Sequence, residues 1–122
     1  MVYGKPLFRA IAEKTTAPYR LLRMENAVYV IARAAAKPAR EEALRGLLTG
    51  MLTPMRAEPG CHFYRLFEAQ EPGRFYFYEL WKSETALNSH AASAHFKELE
   101  RKLQEVLREP FEVSLVQEIG AE

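Results

Sequence analysis

Hydrophobic residues recur at every second position in some segments of this chain and at every third or fourth position in others. Each change of spacing marks a new predicted strand or helix. Residues 27–36, AVYVIARAAA, are rich in β-branched and small apolar residues, which is typical of a strand. Pro38 then suits the first turn of a helix, where its fixed φ and missing N–H are tolerated. Apolar residues spaced three and four apart predict that helix: Leu44, Leu47, Leu48, Met51, Leu52 and Met55.

The middle of the chain predicts a β-hairpin. Glu58-Pro59-Gly60 ends the first helix, and CHFYRLFEA follows as a strand. The turn residues Gln70-Glu71-Pro72-Gly73 separate it from RFYFYELW, which is a second strand. Because the connection is so short, we expect the two strands to pair with each other.

The last third of the chain predicts a broken helix and a closing strand. Ser83 is a good N-cap for a helix that runs to about His90, with a break near residues 91–93. A second helical stretch carries one apolar stripe until Pro110: Phe96, Leu99, Leu103, Val106 and Leu107. The final FEVSLVQEI alternates at period two and places one set of side chains on one face: Phe111, Val113, Leu115 and Ile119.

The predicted order, β-α-β-β-α-β, indicates an α+β fold of the ferredoxin-like type. In this fold a four-stranded antiparallel sheet carries both helices on one face. The third strand is nevertheless apolar on both faces, with Phe75, Phe77 and Trp81 alternating with Tyr76, Tyr78 and Leu80. Because the helices cover only one face, we expect a second copy of the sheet to cover the other in a homodimer.

Residues 1–25 differ from the remainder, residues 26–122, which we take as one domain. Pro6 and Pro18 break the segment, and its basic residues lie among scattered apolar ones. Four apolar residues form a stripe, Leu7, Phe8, Ile11 and Ala12, which predicts a short helix docked on the domain. A basic amphipathic targeting peptide is the alternative interpretation.

Composition excludes several classes of partner. With 17 basic and 16 acidic residues, the net charge of +1 gives no long-range attraction for nucleic acid or an anionic membrane. Cys61 is the only cysteine, so an internal disulfide is impossible, and a small buried hydrophobe is a better interpretation than a nucleophile. No cleavable signal and no apolar run of membrane-spanning length are present, so we expect a cytoplasmic protein.

Four segments, KPAREEALRGLL, EPGCHFYRLFE, YELW and HAASAHF, together resemble the antibiotic biosynthesis monooxygenase family. These are small dimeric ferredoxin-like proteins, and the resemblance covers about residues 27–119. It implies oxygenation of quinols, phenols or aromatic polyketides by molecular oxygen, often without flavin, metal or haem. The sequence likewise contains no G-x-G-x-x-G, P-loop, C-x-x-C or H-E-x-x-H motif, so we expect no cofactor.

Cofactor-free oxygenation needs an aromatic cavity, a group that takes the phenolic proton and a donor for the developing oxyanion. We expect His90 to be the base or hydrogen-bond partner, Trp81 a wall or indole donor, and Glu79 a second base whose pKa is raised by aromatic surroundings. The residues expected to bind substrate are Phe77, His95, Phe96, Arg101 and Tyr64.

Structural alternatives exist for several of these residues. Glu79 could pair with Arg65 across the hairpin, and His90 could bond to backbone at its helix end. His90 and His95 would lie about 140° apart on one continuous helix, so we expect no metal site. The alternative function is a non-catalytic dimeric module that binds an aromatic metabolite.

Two branches of the superfamily that this chain resembles can be compared with it residue by residue. In the polyketide-oxidising branch, an asparagine and a tyrosine assist the tryptophan, but Phe77 and Leu87 stand there, and only Trp81 and Arg101 match. The haem-degrading branch needs a helix histidine and an asparagine on the first strand. Glu100 and Ile31 stand at those places, which disfavours haem degradation.

Overall fold

The computed structural model describes residues 26–120, which form four strands and four helical segments. In chain order these are β1 (Val28–Ala35), α1 (Glu41–Gly50), α2 (Leu52–Arg56), β2 (Cys61–Glu68), β3 (Arg74–Trp81), α3 (Glu84–Ala92), α4 (Ala94–Leu103) and β4 (Glu112–Val116). The predicted docked helix and its alternative, a targeting peptide, both concern residues 1–25 and lie outside the described residues.

The strands form one antiparallel sheet in the order β2-β3-β1-β4. The hairpin strands β2 and β3 are neighbours, and β1 lies between β3 and β4. This is the ferredoxin-like arrangement, so the predicted fold class is confirmed. The sheet of a single chain is open and does not close into a barrel.

The core lies between the sheet and the helices. Alternate residues of β1 point into it, because successive side chains of a strand face opposite sides: Val28, Val30, Ala32 and Ala34 are each 5% exposed or less. Leu44 and Leu48 of α1 and Met55 of α2 are buried from the helix side. Each such leucine or valine side chain contributes about 1.5–3 kcal/mol relative to full exposure.

The first predicted helix is divided, which the sequence interpretation missed. Its first residue is Glu41, not Pro38, because Ala39 has a φ of +68° that a helix does not allow. The division falls at Met51, between α1 and α2. Pro54 explains it, because proline has no N–H and its ring would clash with the carbonyl of Gly50 in a continuous helix.

The second predicted helix breaks where expected. Ser93 is extended, with φ −68° and ψ 152°, and separates α3 from α4. The Ser93 hydroxyl accepts from Phe96 N at 3.3 Å and donates to His90 O at 2.7 Å, so it caps both helix ends. All members of the predicted stripe are buried: Phe96, Leu99, Leu103, Val106 and Leu107. The predicted extent to Pro110 is wrong, because the helix ends at Leu103; Val106 and Leu107 follow it, and Leu107 forms an isolated bridge with Ala36.

The other face of the sheet has no helix over it among the described residues. Ile31 is 43% exposed, Phe67 51% and Tyr78 38%, so large apolar side chains of β1, β2 and β3 face solvent there. We call this surface the open face. Ile119 does not extend the apolar face of β4 as predicted, because the strand ends at Val116 and Ile119 is 87% exposed.

No helix within residues 26–120 is long and apolar enough to cross a membrane.

Candidate functional site

The last residues of β3 bring a carboxyl into the core. Period-two alternation carries Phe75, Phe77, Glu79 and Trp81 to the helix-covered side, and each is 2% exposed or less. Glu79 therefore lies among aromatic rings, as predicted. Because Glu79 and Trp81 share a face, the Trp81 Nε1–H donates to Glu79 Oε1 at 2.7 Å.

The environment of Glu79 favours its neutral form. Burial raises the pKa of the Glu79 carboxyl to about 8, although the hydrogen bond from Trp81 acts in the opposite direction. At pH 7 most of the carboxyl therefore carries its proton. It can donate a hydrogen bond under these conditions and becomes a base only above about pH 8.

The alternative in which Glu79 forms an ion pair with Arg65 is wrong. In the hairpin register Tyr64 lies opposite Glu79, whereas Arg65 lies opposite Tyr78. The Arg65 guanidinium is on the open face, 5.4 Å from the ring centroid of Phe63. This register is continuous from Glu68, opposite Phe75, to Phe63, opposite Leu80, and it is shifted only between Phe63 and Cys61.

His90, near the end of α3, joins the same aromatic cluster. It is 1% exposed, and its ring centroid lies 4.5 Å from Trp81, 4.8 Å from Phe96 and 5.9 Å from Tyr64. The structural alternative required a hydrogen bond from the His90 ring to backbone, and that bond is not formed. The ring Nδ1 instead lies 3.0 Å from Glu58 Oε2. Among the described residues, the buried Nε2 has no hydrogen-bond partner.

Glu58 is a candidate site residue that sequence reasoning missed, because Glu58-Pro59-Gly60 was interpreted only as a helix stop. Its Oε2 also lies 2.5 Å from His95 Nε2, so both histidines reach one oxygen. Burial of Glu58 would raise its pKa, but hydrogen bonds and charge from His90 and His95 outweigh burial, and the pKa is lowered. The separation of about 140° between His90 and His95 was expected for one continuous helix. Because the helix breaks at Ser93, that expectation does not apply, and both rings can reach the same oxygen.

Most of the predicted substrate-binding residues lie in or beside this cluster. Phe77, Phe96 and Tyr64 are buried within it, and the Tyr64 ring meets Phe77 edge-on at 5.5 Å. His95 is one-third exposed and touches the cluster through Glu58. Arg101 is elsewhere: its side chain is 64% exposed and bonds to Glu98 at 2.6 Å.

A shallow groove runs along the edge strand β2 and has a volume of about 250 Å³. It is lined by Arg56, Cys61, His62, Phe63, Tyr64 and Arg65. Burial raises the pKa of the Cys61 thiol to about 11, so at neutral pH the thiol is protonated and a poor nucleophile. Within residues 26–120, no three or more His, Cys, Asp or Glu side chains are grouped to hold a metal ion.

The fold and the cluster define a class: a small ferredoxin-like α+β protein with a carboxyl, an indole and an imidazole buried in one aromatic core. The sequence matches the antibiotic biosynthesis monooxygenase family over residues 27–102. The chain therefore belongs to that family, which confirms the resemblance and assigns the protein to the monooxygenases.

Named relatives support this assignment. "Putative monooxygenase Rv0793" of Mycobacterium tuberculosis is 38% identical over 93 residues, which cover 76% of this chain and 92% of that protein. "Putative monooxygenase YcnE" of Bacillus subtilis is 35% identical over 78 residues, which cover 63% of this chain and 82% of that protein.

Solved structures share the fold. The structure of Rv0793 superposes with a TM-score of 0.73 at 36% identity and covers 78% of this chain and 97% of that one. PA3566 of Pseudomonas aeruginosa also superposes with a TM-score of 0.73, at 28% identity, and covers 80% of this chain and 99% of that one.

Proposed function

We propose that this protein is a cofactor-independent monooxygenase that oxidises a small quinol, phenol or related aromatic with molecular oxygen, and that it acts as a homodimer. One observation carries the reaction: the aromatic cluster holds a hydrogen-bond donor, Glu79, and a proton acceptor, His90, that both contact Trp81. Glu79 is largely protonated at neutral pH, and His90 presents a buried Nε2 without a partner among the described residues. Such a pair can serve acid and base steps in one site.

The proposed step balances without an external reductant. His90 Nε2 takes the proton of a phenolic hydroxyl, and the phenolate gives one electron to oxygen. The resulting radicals combine into a carbon–oxygen bond at a ring carbon that carries hydrogen. Loss of that hydrogen and cleavage of the O–O bond leave a carbonyl on the ring and release one water, so phenol plus O₂ gives quinone plus H₂O. The substrate supplies all four electrons.

The protein contributes proton control and charge stabilisation. His90 returns its proton to the oxygen that leaves as water, and the protonated Glu79 donates to the negative oxygen that develops during the reaction. Both effects are stronger in an apolar site, because water does not screen them there. A quinol reacts in the same way and gives a hydroxyquinone and water.

The cluster is closed, which bears on how a substrate reaches it. Trp81, His90 and Phe96 are 2% exposed or less, so Nε2 becomes accessible only when groups that cover it move. The second candidate, a non-catalytic module that binds an aromatic metabolite, needs the same opening, so the close packing does not favour it. That candidate also predicted a Glu79–Arg65 pair and a solvent-facing His90, and neither is present.

Oxygen uptake tests the proposal. Purified protein is mixed with a panel of reduced naphthoquinols and phenols, with and without a chelator, and uptake is compared with autoxidation. We expect uptake above that background, unaffected by chelator and reduced about 100-fold or more in His90→Ala, as general-base loss predicts. Trp81→Phe should also lose activity, whereas His62→Ala, which removes an exposed histidine of β2, should not.

A binding measurement distinguishes the two candidates. Trp81 is the only tryptophan of the chain, so its fluorescence reports directly on the cluster. A fluorescence change that saturates with an aromatic ligand, without oxygen uptake for any substrate in the panel, would favour the binding module. Uptake that is equal in wild type and in both cluster variants would place the reaction outside this cluster.

A further inference from the structure

Three side chains from separate parts of the fold meet at one carboxylate oxygen beside the cluster. Glu58 lies in the loop between α2 and β2, His90 near the end of α3 and His95 near the start of α4. Both rings reach Glu58 Oε2, His90 through Nδ1 and His95 through Nε2. The reaction proposed above uses only Nε2 of His90, so the other contacts of this trio need a separate account.

The charge of Glu58 determines what each ring nitrogen does. Its lowered pKa keeps the carboxyl ionised at neutral pH, and an ionised carboxylate only accepts hydrogen bonds. A neutral His90 must therefore carry its proton on Nδ1 in order to donate to Oε2. Its buried Nε2 then holds the lone pair.

We propose that Glu58 is a positioning residue that fixes the Nδ1–H form of His90 and so keeps Nε2 available as the base. This inference rests on the proposed function, in which Nε2 takes the phenolic proton. When it does so, the ring becomes a cation whose charge is paired with Glu58 through Nδ1. The same proton later returns to the departing oxygen, so no net charge stays on the protein.

His95 supports the carboxylate from the other side. A carboxylate on a loop could turn toward solvent, but the His95 contact at 2.5 Å holds Oε2 between the two rings. Glu58 is 12% exposed and His95 33%, so the trio runs from the buried ring of His90 to the surface. His95 is thus a second positioning residue that acts through Glu58.

The other titratable groups around His90 do not compete for its ring nitrogens. Tyr64 of β2 meets the ring edge-on at 5.9 Å between centroids, and Glu79 of β3 accepts from Trp81. Among the described residues, only the Glu58 carboxylate lies within hydrogen-bond distance of the His90 ring.

The tautomer can be measured without any substrate. Long-range nitrogen–proton NMR correlations on histidine-labelled protein, recorded at a pH where the rings are neutral, distinguish Nδ1–H from Nε2–H. We expect wild-type His90 to be entirely in the Nδ1–H form. In Glu58→Gln the Nε2–H form, which a free imidazole side chain favours, should become populated, because a glutamine amide can donate as well as accept.

Kinetics with the best substrate of the panel test the consequence. Glu58→Gln should lower kcat about 100-fold and change KM less than about twofold, because the residue acts on the base and does not touch substrate. A purely structural role would lower stability without changing the tautomer of His90.

Variants of His95 separate its role from that of an exposed histidine. His95→Ala removes the second contact to Glu58 and should partly mix the His90 tautomers, whereas His95→Gln keeps a donor and should restore the single form. His62→Ala is the matched control, because His62 is exposed on β2.

Each outcome is decisive. A wild-type His90 in the Nε2–H form would overturn the inference, as would a Glu58→Gln protein with unchanged tautomer and unchanged kcat. If the wild-type protein consumes no oxygen with any substrate, the proposed function fails, but the tautomer measurements still decide whether Glu58 positions His90.

Discussion

At the residue scale, the buried carboxyl of Glu79 makes the stability of the fold depend on pH. Its pKa is about 8 in the folded protein against an ordinary value of 4.5. Between these values the folded state keeps a proton that the unfolded state has lost. The stabilising contribution of Glu79 is therefore fully present below about pH 4.5 and is lost as pH rises to about 8. Above about pH 8 the free energy of unfolding no longer changes through this group.

Glu79→Gln tests this dependence, because glutamine keeps the shape and an acceptor for Trp81 but does not titrate. The free energy of unfolding of wild type, relative to this variant, should fall by about 1.4 kcal/mol per pH unit between pH 5 and 8. Urea titrations at several pH values measure it. The exposed Glu105→Gln is the control, and it should follow wild type throughout. Parallel curves for wild type and Glu79→Gln would contradict a raised pKa.

At this scale, the positions of several site residues could be predicted from the sequence. Alternation along β3 placed Glu79 beside Phe77 and Trp81, because that strand is regular. It could not exclude the Arg65 pair, because the register across the hairpin, with Glu68 opposite Phe75, is set at the turn, and composition does not fix how that turn pairs the strands. Glu58 was missed because its partners lie 32 and 37 residues away in the chain.

At the scale of elements, one serine connects helix geometry with the site. Ser93 caps α4 and bonds to the last turn of α3, and the change of direction there lets His90 and His95 reach one carboxylate. The break near residues 91–93 was predicted, and the Ser93 hydroxyl stabilises it by bonding to both helix ends. The break at Met51 was missed because the apolar stripe continues across it, and only Pro54 marks it.

Ser93→Ala and Ser83→Ala form a matched pair that tests this connection. Each removes a side-chain cap, to Phe96 N or to Ala86 N, and each should cost about 1 kcal/mol of stability. Only Ser93→Ala should also shift the NMR signals of the His90 and His95 rings. Urea midpoints and histidine spectra of both variants check this. Equal shifts in both variants would mean that the break does not set the histidine geometry.

At the scale of the whole molecule, the open face is the feature that one chain leaves unexplained. β1, β2 and β3 all present large apolar side chains there, among them Ile31, Phe67 and Tyr78. A stable interface buries about 800 Å² on each partner, and a two-fold dimer uses the same surface on both copies. The proposed homodimer covers this face with a second sheet.

Ile31→Glu tests the dimer, because Ile31 lies on β1 between Tyr78 of β3 and Ser114 of β4. A carboxylate there would be buried without a partner in a sheet-to-sheet interface, which is costly, but it stays solvated in a monomer. Analytical ultracentrifugation should give twice the mass of the chain for wild type and the mass of one chain for Ile31→Glu. Thr49→Glu makes the same charge change on the exposed side of α1 and should remain a dimer. A wild-type monomer at all concentrations would contradict the proposal and leave the open face to another partner.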